Sequence, residues 1–193
     1  MTGHDNINHS ILIVSASEQF DAIVKRSLTG FTTINVVKSG ALARRNVLEK
    51  DYNLIVINSP MPDETGIDLA LDISEKSRAS ILLVTPKEIY DEVLEKVTDY
   101  GILVLFKPFP KGRADQAVRY LAAVQDKMYR LEKKNLALEE KMEELRTVSR
   151  AKLLLVERKH MTEDEAHRYI GKNAMDNGVS RKRIAEMILE DES

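Results

Sequence analysis

Five short aliphatic runs, each followed by a stretch with helical periodicity, set the strongest limit on what this chain can fold into. The runs are Ile11–Val14, Thr33–Val37, Leu54–Ile57, Ile81–Val84 and Leu103–Phe106. Several are continuously apolar, which suits strands covered on both faces; a strand wetted on one face would alternate instead. Between them lie Glu18–Leu28, Ala41–Glu49, Ile67–Glu75 and Tyr90–Asp99, with apolar residues three and four apart. The fold class expected is therefore α/β, a five-stranded, doubly wound parallel sheet with helices on both faces over residues 10–111. Right-handed crossovers would bring the carboxyl ends of strands one, three, four and five to one edge, where such sheets carry their chemistry.

Past Lys111-Gly112 the apolar spacing becomes a strict three-four alternation. Leu121, Met128, Asn135 and Met142 occupy heptad position a, and Val124, Leu131, Leu138 and Leu145 occupy d. Lys127, Lys134 and Lys141 stand at g, with Glu132 and Glu139 at e. A parallel pair would set Lys127 against the partner's Glu132 and Lys134 against the partner's Glu139; an antiparallel pair would oppose like charges. One Asn at a, with Leu mostly at d, is the pattern of an in-register parallel dimer. Residues 112–145 are thus expected to form a long coiled-coil dimerisation helix. The alternative is an amphipathic helix packed on its own domain, which would leave Asn135 in a core without a polar partner.

The helical pattern runs on through Arg158 and breaks at Lys159-His160-Met161. Thr162 with Glu165 reads as a capping box opening a helix from Glu163 to about Lys172. Asp176-Asn177-Gly178 reads as a turn, and Ser180 caps a last helix through Leu189. Residues 146–190 are expected to form a small all-α, three-helix module. Its core candidates are Ala151, Leu154, Leu155, Ala166, Ile170, Met175, Ala185 and Ile188.

Composition narrows the function. The 193 residues carry 29 Lys+Arg against 31 Asp+Glu, no Cys and four His. Without Cys there is no disulfide framework, thiolate metal site or Cys nucleophile, and the His are too few for a zinc enzyme. No metal, no cofactor and no enzymatic activity are expected, since no Gly-rich phosphate loop or activated nucleophile is present either. The start is polar rather than signal-like and no stretch is long enough to span a bilayer, so a cytoplasmic protein is expected. The near-neutral total hides one basic block: residues 146–183 hold ten basic residues against five acidic ones. That block is the part best suited to a polyanion.

Asn58-Ser59-Pro60-Met61-Pro62 with Gly66 after the third strand, Thr85 ending the fourth, and Lys107-Pro108-Phe109 ending the fifth resemble a two-component receiver domain. The resemblance implies an acceptor Asp at the position of Asn58 and an acidic, Mg²⁺-holding pair at Ser15 and Ala16. An amide cannot form an acyl phosphate, and Ser and Ala bring no charge to a divalent cation. The aromatic usual three residues before the Lys is Val104 here. Ser15, Ala16, Asn58, Thr85 and Lys107 therefore read as a degenerate acceptor pocket in a pseudo-receiver. Deamidation of Asn58, or phosphorylation of Ser15 or Ser59, would not restore the metal site.

The run Arg150-Ala151-Lys152 through Arg158, then Met161 to Ile170 with Glu165-Ala166, then Ser180 to Ile188 resembles the ANTAR module of the AmiR and NasR transcription antitermination regulators. The departures are Leu153 for the usual Gly and His167 for a frequent aromatic. The resemblance implies binding to paired stem-loops in mRNA leaders and read-through by RNA polymerase. Candidate RNA contacts are Arg146, Arg150, Lys152, Arg158, Lys159, Lys172, Arg181, Lys182 and Arg183 for phosphates, with Tyr169, His160 and Asn173 for unpaired bases.

The whole then reads as an antitermination regulator that binds RNA as a homodimer. Control is expected from a regulatory protein or ligand at the pseudo-receiver rather than from Asp phosphorylation. The alternatives are a protein-interaction adaptor and a double-stranded DNA-binding response regulator.

Overall fold

A computed structural model describes residues 9–26, 28, 30–110 and 112–191. The polar opening segment with His4, Ser27 of the first expected helix, and Lys111 lie outside them. The chain divides into two compact units, Met1–Tyr129 and Arg130–Ser193. That division falls inside a helix.

The first unit contains β1 (His9–Val14), α1 (Glu18–Arg26), β2 (Phe31–Val37), α2 (Gly40–Glu49), β3 (Leu54–Asn58), α3 (Ile67–Lys76), β4 (Ser80–Pro86), α4 (Tyr90–Val97), β5 (Leu103–Lys107) and the start of α5 (Arg113–Lys159). All strand pairs are parallel, in the order β2-β1-β3-β4-β5. The continuous aliphatic runs follow from this order, because alternate side chains of one strand serve two cores. Leu12, Val14, Ile55, Ile57 and Leu83 pack under α2, α3 and α4, against Ala43, Leu69, Ile73 and Val93. Ile11, Ile13, Leu54, Val56 and Leu82 face the other way, against Phe20 and Val24 of α1 and Ala117, Val118 and Leu121 of α5. Each such fully buried aliphatic side chain contributes roughly 1.5–3 kcal/mol.

Two expectations about helices change here. The helix expected over Tyr90–Asp99 ends at Val97, and Thr98–Tyr100 tighten into a 3₁₀ turn closed by Gly101 at φ 71°, the left-handed region where a glycine costs little. Leu121, the first a position of the expected seam, is only 5% exposed and belongs to the sheet's own core. A three-four spacing states that a helix has an apolar face but not what covers it, and here the sheet covers the first turns. Val124 is half-buried, and the solvent-facing apolar line runs through Met128, Leu131, Leu138, Met142 and Leu145.

The second unit contains the rest of α5, α6 (Glu163–Asn177) and α7 (Arg181–Glu190). Its core is Ala151, Leu155, Ala166, Ile170, Ala174, Ile184 and Ala185, with Ile188 partly buried against it. The expected break after α5 is a residue in the left-handed region, His160 at φ 51°. The capping box is formed: Thr162 Oγ1 accepts from the Glu165 N–H, and the Glu165 carboxylate accepts from the Thr162 N–H at 2.8 Å. Helix α6 runs past Lys172 to Asn177, where Gly178 at φ 64° closes it. The longer helix moves Met175 out of the core to 84% exposure. One full turn beyond Ile170 lies Ala174, and residue 175 is rotated about 100° away from that face.

Candidate functional site

Two places gather the residues that the sequence singles out, one in each unit. At the carboxyl edge of the sheet, β5 ends at Lys107, β3 ends at Asn58, and Ser15 follows β1 directly. The Lys107 ammonium donates to Asn58 Oδ1 at 2.8 Å, and Asn58 Nδ2 donates to Ser15 Oγ at 3.2 Å. Ser15 Oγ also accepts from the Ser17 N–H at 3.0 Å. Asn58 and Ser15 are buried, and burial pushes the Lys107 ammonium down from the ordinary lysine value. Three of the five pocket residues thus form one hydrogen-bonded chain. The other two stand apart, because Ala16 is exposed and Thr85 is buried on β4 with no partner for Oγ1 among the described residues. Ser15 and Ser59 are both buried, so neither hydroxyl is open to a kinase.

The loop after Asn58 is braced to α2 by residues that sequence reading missed. The Asp63 carboxylate accepts from the Gly40 and Ala41 N–H groups at 3.0 and 3.1 Å, capping α2 from outside. Those backbone donors hold its carboxyl below the ordinary aspartate value. Arg44 pairs with Glu64 and, at 2.9 Å, with Asp72. A side chain that caps a helix from a distant loop leaves no periodic signal in the sequence.

In the second unit a cavity of about 880 Å³ opens beside α6, lined among others by Lys159, His160, Tyr169, Lys172, Met175 and Arg181. Arg168 also lines it, and the Lys159 ammonium sits 5.7 Å from the centre of the Tyr169 ring. Four cations therefore line the same cavity as Tyr169, and one of them, Lys159, lies near the face of its ring. The acid of the groove, Glu165, is already engaged by Thr162. Five of the expected RNA contacts, Lys159, His160, Tyr169, Lys172 and Arg181, are brought together here.

The remaining candidates lie elsewhere. Arg146 and Arg150 line a hollow on α5, and Lys182 lines another with Arg146, Glu139 and Met142. Lys152 pairs with Glu163 at 2.7 Å, fastening α5 to α6. Arg183 reaches Glu186 at 3.4 Å, and Asn173 Nδ2 turns back to the Tyr169 carbonyl at 2.8 Å. Arg158, at the end of α5, is exposed and does not line the groove. The place of Met175 beside the groove was not legible, since it depends on how far α6 extends. Among the described residues no group of three or more His, Cys, Asp or Glu could hold a metal ion, and no helix is long and apolar enough to cross a membrane.

Comparison with known proteins matches both units. The response regulator receiver domain family matches residues 11–119, and the ANTAR domain family matches residues 136–189. The chain is an ANTAR-domain response regulator. The transcriptional regulatory protein PdtaR of Mycobacterium tuberculosis is 33% identical to this ANTAR response regulator over 139 residues, covering 72% of this chain and 67% of that protein. Among solved structures, the signal receiver domain of an HD domain-containing protein from Pseudomonas fluorescens superimposes with TM-score 0.58 at 17% identity, over 67% of this chain and 97% of that one. A structure of an adenylate cyclase from Rhodopirellula baltica gives TM-score 0.59 at 19% identity, over 66% and 96%. At such identities the two structures show the receiver fold alone. Against that fold, this response regulator carries Asn58 at the end of β3 and no carboxylate at Ser15 or Ala16.

Proposed function

We propose that this response regulator binds paired stem-loops in nascent mRNA as a homodimer and so favours antiterminated transcription in the cytoplasm. In this reading a partner or ligand controls it, rather than phosphorylation of an Asp. The supporting observation is the α6 groove, which Lys159, Arg168, Lys172 and Arg181 line together with Tyr169, Lys159 lying near the face of the ring. Cations so placed neutralise phosphates with release of counterions, and an aromatic face is what an unpaired base stacks on. Membership of the ANTAR family favours RNA over other polyanions, and similarity to a transcriptional regulatory protein agrees with a role in transcription.

Dimerisation is supported by the apolar line Met128, Leu131, Leu138, Met142 and Leu145, about half exposed in the single chain. A second copy would cover it, give Asn135 the partner's Asn135, and set Lys127 and Lys134 against the partner's glutamates. Two modules on one dimer match two loops on one transcript, because linked binding raises effective concentration. Control without phosphorylation is supported by Asn58, whose amide cannot carry an acyl phosphate, and by the absence of a carboxylate at Ser15 or Ala16.

Fluorescence anisotropy of the pure protein tests this, using a two-stem-loop RNA, the same sequence as duplex DNA, and a scrambled RNA, each at two salt concentrations. Tight binding to the paired-loop RNA alone is expected. Equal binding to all three, erased by salt, overturns the reading and leaves a basic surface on an interaction adaptor.

A further inference from the structure

The carboxyl edge of the sheet holds a cation with nothing to balance it. Lys107 is partly desolvated, its hydrogen bond goes to a neutral amide, and among the described residues no carboxylate contributes a charge to it. Beside it opens a crevice of about 290 Å³ lined by Asn58 and Lys107 together with Phe20, Ile23, Pro108 and Phe109. Ser17 lines it too; its Oγ accepts from the Phe20 N–H, and among the described residues no acceptor takes the Ser17 hydroxyl proton. The order β2-β1-β3 places the crevice where the strand order reverses, outside the carboxyl ends of the strands. Open α/β sheets bind ligands there.

We propose that this crevice binds a small organic monocarboxylate, its carboxylate on the Lys107 ammonium and the Ser17 hydroxyl, its apolar body against Phe20 and Phe109. The charge decides the head group. One unbalanced cation matches one negative charge, whereas a dianion would leave its second charge unpaired, and a divalent cation would meet a positive site. The walls decide the body, since four of the eight lining residues, Phe20, Ile23, Pro108 and Phe109, are apolar. Occupancy would supply the ligand control suggested above, yet the site rests on first-unit residues and not on the RNA reading.

The test uses the full-length, ¹⁵N-labelled protein without RNA, at constant ionic strength, titrated with sodium benzoate. Benzyl alcohol supplies the ring without the charge, and inorganic phosphate supplies charge without the ring. Saturable shifts confined to Ser17–Phe20 and Lys107–Phe109 are expected with benzoate, with both controls at least about tenfold weaker. Lys107→Gln should weaken benzoate about tenfold or more, and so should Asn58→Asp, whose new carboxylate takes the ammonium as its own partner. Melting curves establish that each variant folds, and Asn58→Asp carries the test if Lys107→Gln does not. No saturable shift, benzyl alcohol binding as well as benzoate, phosphate binding more tightly, or full affinity in the folded variants would each overturn the proposal. Failure of the RNA titration leaves this outcome unchanged.

Discussion

Lys107 donates to Asn58 across the end of the sheet at 2.8 Å, and the bond joins an ammonium to a neutral amide that cannot carry an acyl phosphate. Acetyl phosphate with Mg²⁺ should therefore give no mass shift in intact-protein spectrometry. Asn58→Asp should remain unmodified as well, because Ser15 and Ala16 still offer no charge to the metal. A stoichiometric phosphoryl adduct on the wild type would end the pseudo-receiver reading.

Gly40 opens α2 where a Cβ would land on the Glu64 carboxylate, itself held by Arg44. Gly40→Ala should cost about 1–2 kcal/mol through that overlap. In a Glu64→Ala background the same change should cost close to nothing. Urea denaturation of the four proteins in a double-mutant cycle measures the difference.

The capping box gives a pH dependence with a definite sign. The Thr162 N–H, then its hydroxyl, hold the Glu165 carboxyl below the ordinary glutamate value. A carboxyl lowered on folding stabilises α6 above its unfolded-state value, and that stabilisation is lost as pH falls through the folded one. Amide exchange at the start of α6 should accelerate over that acidic range in the wild type. Glu165→Gln should flatten the profile, whereas Thr162→Ala should cost about 1 kcal/mol at neutral pH.

Ile170 is 1% exposed at the centre of the second unit, while Leu153 is 61% exposed. Ile170→Ala should cost about 2–5 kcal/mol and abolish the module's cooperative melting. Leu153→Ala should stay within about 0.5 kcal/mol of the wild type. Calorimetry of the full chain separates the two.

Asn135 is exposed on α5 amid the apolar line. If a second copy covers that line, Asn135→Leu should raise the melting temperature and broaden the oligomers seen in sedimentation, since a buried Asn sets register and number at a cost in stability. An unchanged dimer of unchanged stability would place the interface elsewhere.

The sequence by itself determined the alternation of strand and helix, because a strand buried on both faces must be apolar throughout, and it determined the caps at Thr162 and Ser180, because those are local chemistry. It also put Asn58 and Lys107 at strand ends, since each follows directly on an apolar run. Tertiary structure alone decided that Leu121 serves the sheet and not a seam, that Asp63 caps α2 from a distant loop, and that Met175 lies beside the groove. Each of these depends on which surface comes to lie opposite a residue. Periodicity records that a helix has an apolar side; only the packed chain determines what that side meets.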